Sequence, residues 1–145
     1  MKIFVIQSNF NKDITDSLFK GAKNILETKN KKFSHHLVSG SWEILSLASK
    51  ILRDQRDEEK TSGSSLDTED IGILAIGAII RGETDHYDFL CNATFNGLAS
   101  LQVKYGVPIS IGILTTENIN QAKERSGGKK GNKGSEAALA LLNLL

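Results

Sequence analysis

The run Ile71 to Ile80, IGILAIGAII, carries no polar side chain. It is far too short to span a membrane as a helix. Its Ile-rich, uninterrupted character fits a strand buried on both faces, as in a parallel sheet covered by helices. The run stops at Arg81-Gly82, and Glu83, Thr84, Asp85, His86 and Asp88 follow. An apolar pattern of helical period then begins at Phe89. The stretch reads as a buried strand, a tight turn and a helix start. In open α/β sheets, ligands bind at the carboxyl ends of the strands. A helix N-terminus there offers free N–H groups and positive partial charge to an anion. His86 falls in the first helical turn at that end. The plainer reading is a charged loop closing an ordinary βα unit, with His86 merely solvated. This stretch alone leaves both open.

The remaining segments repeat the pattern. Lys2–Ser8 predicts a buried strand, with Phe10 on the turn after it. Ile14, Leu18, Ala22, Ile25 and Leu26 recur at helical spacing, with Asp13 or Thr15 as cap. Residues 33–39 predict a second strand, on which the adjacent His35 and His36 face opposite sides. That placement makes them unsuited to chelating one metal together. Ser41, Trp42 and Glu43 follow, opening a helix whose apolar face includes Ile44, Ala48 and Leu52. Glu43 there suits the helix dipole or accepts hydrogen bonds from a polyol. The polar run 55–70 predicts a flexible surface loop.

The helix after the third strand carries Phe89, Leu90, Ala93, Gly97, Leu98 and Leu101 on one stripe. Gly106 and Pro108 end it. Residues 107–115 predict a fourth strand, and Thr116 is placed to cap a short helix through Arg125. A Gly- and Lys-rich turn with Lys129, Lys130 and Lys133 leads to a final apolar helix. No phosphate loop of GxxxxGK[ST] type and no GxGxxG is present. Four strands alternating with helices imply a parallel sheet with helices on both faces. The polar clusters at Phe10, Ser41–Glu43, Arg81–His86 and Thr115–Asn118 all fall at strand carboxyl ends. That convergence points to one composite site for a small, anionic ligand.

Composition narrows the class. The chain has 145 residues and a formal charge of +1, which suits one domain over 1–145. Near-neutral charge gives no reason to expect a nucleic-acid or membrane partner. Cys91 is the only cysteine, so the chain forms no internal disulfide and no cysteine metal cluster. No apolar stretch has the length of a membrane span. The start lacks a basic region, a long apolar core and a cleavage site, which predicts a cytoplasmic protein.

Five segments together resemble the lumazine synthase family: FNKDITDSLFKGA, VSGSWEI, GAIIRGETDHYD, GVPISIGILTTENINQAKERSG and GNKGSEAALA. They occur in family order over nearly the whole chain. The resemblance implies a flavodoxin-like three-layer α/β/α sandwich around a four-stranded parallel sheet. It implies condensation of 5-amino-6-(D-ribitylamino)uracil with 3,4-dihydroxy-2-butanone 4-phosphate to 6,7-dimethyl-8-ribityllumazine, phosphate and water. This is the penultimate step of riboflavin biosynthesis, and it needs no metal and no organic cofactor.

By the same resemblance, Phe10 stacks on the pyrimidine, and Ser41, Trp42 and Glu43 hold the ribityl chain. Ala78, Ile79 and Ile80 present backbone groups to the pyrimidine. Glu83 and Thr84 lie where the family binds the butanone phosphate, and His86 transfers protons. Ile111, Arg125 and Lys133 reach in from an adjacent subunit of a homopentamer or larger shell, with Arg125 on the phosphate. Glu83 stands where a small residue is usual and Ile111 where an aromatic is common. The chain begins at its first strand, without the extension that often supports a neighbouring sheet in the family. Two other readings share the fold. A related riboflavin synthase would turn lumazine alone into riboflavin, and a shell protein would bind lumazine without turnover.

Overall fold

In the computed structural model, the described residues are 2–62 and 71–145. Four strands form the central sheet: β1 (Lys2–Ser8), β2 (Phe33–Val38), β3 (Ile71–Ile80) and β4 (Ile109–Thr116). Their order is β2-β1-β3-β4 and every pairing is parallel. Parallel neighbours require crossovers, supplied by α1 (Lys12–Thr28), α2 (Ser41–Ser62) and α3 (His86–Tyr105). After β4 come α4 (Ile119–Arg125), a short antiparallel hairpin of β5 (Ser126–Gly128) and β6 (Gly131–Asn132), and α5 (Lys133–Leu142). The expected α/β sandwich with a four-stranded parallel sheet is the fold observed. The β5–β6 hairpin is the addition within what read as a Gly- and Lys-rich turn.

Two apolar clusters define the layers. Ile3, Val5, Leu74 and Ile76 pack with Leu18, Ala22 and Leu26 of α1 and Ala138 and Leu141 of α5. On the opposite face Ile6, Ile73, Ala75 and Ile113 pack with Ile44, Ala48 and Leu52 of α2 and Leu98 of α3. Strand residues alternate between the two clusters, as the pleat requires. His35 and His36 divide in the same way. His35 stacks on Phe19 at 3.8 Å between ring centroids, and His36 lies against Phe4. Close contact between α2 and α3 depends on Gly97, where a Cβ would fall 2.6 Å from Leu45 Cδ2.

Several local expectations are corrected. Residues 55–62 belong to α2 and are not a loop; the rest of the expected loop, 63–70, lies outside the described residues. The polar run continues the helix because Gln, Arg, Glu and Lys lose little rotamer freedom there. Asn11 holds the N-cap position of α1 in the left-handed conformation at φ 55°, without a side-chain cap bond, and Asp13 and Thr15 lie inside the helix. The Asn11 carbonyl accepts from the Ile14 and Thr15 N–H groups. Asn118 caps α4, its side chain accepting from the Gln121 N–H, while Thr116 closes β4. No described helix is long and apolar enough to cross a membrane.

Candidate active site

The sheet's carboxyl edge is built from strands of unequal reach. The β1–β3 ladder ends at Gln7–Ile76, whereas β3 stays paired to β4 as far as Ile80–Thr116. Ala78, Ile79 and Ile80 therefore extend past β1, and their backbone groups on that side have no ladder partner. One is taken up: the Asn11 side-chain amide donates to the Ala78 carbonyl at 3.3 Å. An open strand edge of this kind offers backbone donors and acceptors to a ligand.

Around this edge lies a cavity of about 770 Å³. One wall is Phe10, on the turn after β1 and 69% exposed. That turn is held by the Asn9 N–H donating to the Val38 carbonyl at 2.6 Å, and by the Asn11 bond. A second wall is the first turn of α2, where Ser41, Trp42 and Glu43 open the helix. Its earliest N–H groups have no partner within the helix. The floor is Ala78, Ile79 and Ile80. The far wall is Gly82, Thr84 and the start of α3, where His86, Phe89, Leu90 and Ala93 repeat at helical spacing along one face.

Nine of the thirteen residues singled out from the sequence line this cavity; Glu83, Ile111, Arg125 and Lys133 do not. Glu83 is exposed between Gly82 and Thr84. Ile111 packs against the core cluster on the α2–α3 side. Arg125 and Lys133 line a separate cavity of about 320 Å³ with Lys130 and Glu136. Among the described residues, the larger cavity is lined by Glu43 and His86 but by no lysine or arginine.

Three features were missed from sequence. Phe89, read only as one residue of an apolar helical stripe, is 73% exposed and lines the cavity. It sits three residues after His86, so it shares that residue's face. Tyr87 also lines the cavity, and burial pushes its phenol above the ordinary range. Arg81 stands at the end of β3 and gathers Asp88, Glu117 and Tyr87 around it. The sequence placed it in the polar cluster at the end of β3 but gave no sign of its contacts. Cys91 is half-buried, and burial raises its thiol, which disfavours a nucleophilic thiolate.

The family model of 6,7-dimethyl-8-ribityllumazine synthase matches residues 1–145. A protein of that name from Campylobacter hominis is 42% identical over 150 residues, covering 99% of this chain and 86% of the relative. One from Buchnera aphidicola is 40% identical over 147 residues, covering 99% and 84%. One from Helicobacter pylori is 37% identical over 147 residues, covering 99% and 86%. With the match running the length of the chain, and the site assembled at the sheet's carboxyl edge, the chain belongs to the 6,7-dimethyl-8-ribityllumazine synthase family.

Proposed function

We propose that the larger cavity is one half of a shared active site for lumazine synthesis, in a single catalytic domain spanning 1–145. The enzyme condenses 5-amino-6-(D-ribitylamino)uracil with 3,4-dihydroxy-2-butanone 4-phosphate. The pyrimidine lies against Phe10 and the free edge at Ala78, Ile79 and Ile80. Its ribityl chain meets the first turn of α2, with the Glu43 carboxylate accepting from hydroxyls. The butanone phosphate occupies the Gly82–Thr84 turn. Glu83, exposed beside it and outside the cavity lining, directs its charge to solvent.

Each chemical step moves protons. The amine attacks the ketone and water leaves to give an imine. Phosphate is then eliminated, and a second amine–carbonyl condensation closes the ring. Imidazole is the side chain that both gives and takes protons near neutral pH, which fits His86 for this work. Holding two substrates in one cavity supplies much of the remaining acceleration.

The observation that carries the shared-site reading is that, among the described residues, no lysine or arginine lines the cavity. A phosphate dianion calls for charge-assisted donors, and Arg offers them as a planar fork. Arg125, whose Nη1 donates to the Gln121 carbonyl at 3.2 Å and lies 3.7 Å from Glu124, and Lys133 face a neighbouring chain from the second cavity, with Ile111 accompanying them across that contact. Head-to-tail contacts of this type close into a ring. Together with the family resemblance, this supports a cytoplasmic homopentamer, alone or as the unit of a larger shell. Incubation with both substrates, followed by lumazine fluorescence as a function of dilution, is the test. Lumazine formation that disappears as the assembly dissociates supports it. Full activity of a monomer, or riboflavin formed from lumazine alone, contradicts it.

A further inference from the structure

Arg81 follows β3 directly, and its N–H donates to the Thr116 carbonyl at 2.9 Å, extending the β3–β4 contact by one residue. Its side chain then turns toward two carboxylates. Nη1 and Nη2 donate to the two oxygens of Asp88, each at 3.1 Å, and Nε donates to Glu117 at 2.8 Å. The guanidinium lies over the Tyr87 ring, 4.3 Å from its centroid. The two hydrogen-bonded carboxylates hold its proton more firmly than usual. On residue type alone, an arginine beside Gly82 and Thr84 is the obvious cation for a phosphate. Here the fork is already committed to carboxylates, one face rests on an aromatic ring, and the side chain is not part of the cavity lining.

The geometry of that commitment is informative. Asp88 lies in the first turn of α3 and Glu117 just beyond β4, so one guanidinium ties three segments together. It bridges the two ends of the turn that bears Gly82, Thr84 and His86. Inside that turn, the only side-chain hydrogen bond among the described residues is from the His86 N–H to Thr84 Oγ1, at 3.4 Å. Arg81 also supplies one positive charge against two carboxylates, beside the place assigned to a dianion.

We infer that Arg81 is a positioning residue: it clamps the turn carrying Thr84 and His86 and offsets Asp88 and Glu117, without itself touching the phosphate. This rests on the assignment of that turn to the butanone phosphate. Its consequence is selective. Losing the clamp disturbs the phosphate half of the site and the proton-transfer residue, and leaves the pyrimidine half, built on β1, α2 and the edge of β3, in place.

Steady-state kinetics of the full-length enzyme as R81K, R81Q and R81Q/D88N/E117Q provide the test. Trp42, the only tryptophan, lines the cavity away from this turn and reports binding of 6,7-dimethyl-8-ribityllumazine by quenching. In R81Q, KM for the butanone phosphate should rise and kcat fall, each by about tenfold, the scale of a lost charge-assisted contact. KM for the pyrimidine and lumazine affinity should stay within about twofold, because the clamp's bonds do not reach that half. The triple variant removes the charge imbalance without restoring the fork, so KM for the phosphate recovers and kcat stays low.

R81K keeps the charge and loses the bidentate geometry, so kcat falls there too. If R81Q does not fold, R81K alone decides. R81K with parental kinetics overturns the inference, since charge alone would then suffice, as for a direct phosphate contact. Equal losses in both substrates and in lumazine binding also overturn it, because the role would then be general stability. Parental turnover in H86A would instead remove the assignment of chemistry to this turn, so the two failures are distinguishable.

Discussion

The two cavities of the carboxyl edge differ in the one property that matters for an anionic substrate. The larger has shape, an open strand edge, a helix N-terminus and His86, but, among the described residues, no lysine or arginine. The smaller has Arg125, Lys130 and Lys133 in about 320 Å³, too little room for two substrates. In the proposed shared site, each supplies what the other lacks for joining a pyrimidine to a phosphate ester. The division follows the fold. α2 and α3 frame the first cavity, while the cations of the second come from α4 (Arg125), the β5–β6 turn (Lys130) and the start of α5 (Lys133).

The comparison breaks most visibly at His86. H86A should lower turnover about a hundredfold, the lower end of the range for a general acid–base, with substrate KM values little changed. Unchanged turnover would remove the chemistry from the larger cavity. R125A tests the smaller one. It should weaken the butanone phosphate by about 1.5–3 kcal/mol, the cost of a lost charged contact, and leave the pyrimidine alone. The reverse pattern in a two-substrate titration would mean the subsites are exchanged. F10A should raise the pyrimidine KM a few-fold, from about 0.5–1.5 kcal/mol of ring stacking. An unaltered KM would make Phe10 a packing residue for a neighbour.

The smallest effect concerns the frame behind Phe10. The buried Gln7 amide donates to Thr15 and Asp16, so its oxygen accepts from His35 Nε2 at 2.8 Å. Burial keeps the His35 pKa below its ordinary value. The unfolded chain therefore takes up this proton first. His35 contributes stability above its unfolded pKa, about 6.5, and loses it as pH falls through the folded value. Across pH 7 to 5, the melting midpoint of H35Q should fall less steeply than that of the parent. Parallel curves would show that His35 is not the group responsible.

Much of the fold was legible because burial imposes period on sequence. The Ile71–Ile80 run reappears as β3 with the same bounds, and the Gly106 stop as a left-handed C-cap at φ 64°. Legibility failed where local chemistry competes evenly. Gln55 to Lys60 suits a loop by polarity and a helix by propensity, and helix continuation won. Asp13, Thr15 and Asn11 are all capping types, and the turn's need for a left-handed residue selected Asn11. In the site, Phe89 was not assigned to the cavity because an apolar residue at helical spacing looks alike whether it faces a core or a cavity. Arg81's role lies in contacts to residues 88 and 117, which spacing does not reveal.

The most direct test of the shared site is subunit mixing. H86A and R125A are each expected to be impaired alone. When the two are dissociated and reassembled together, some interfaces pair an intact His86 with an intact Arg125 from the adjacent chain. Activity of the mixture should then rise above the mean of the two parents, and scale with the proportion of mixed interfaces. If labelled subunits demonstrably exchange and the activity remains that mean, His86 and Arg125 do not meet across an interface and the account is wrong.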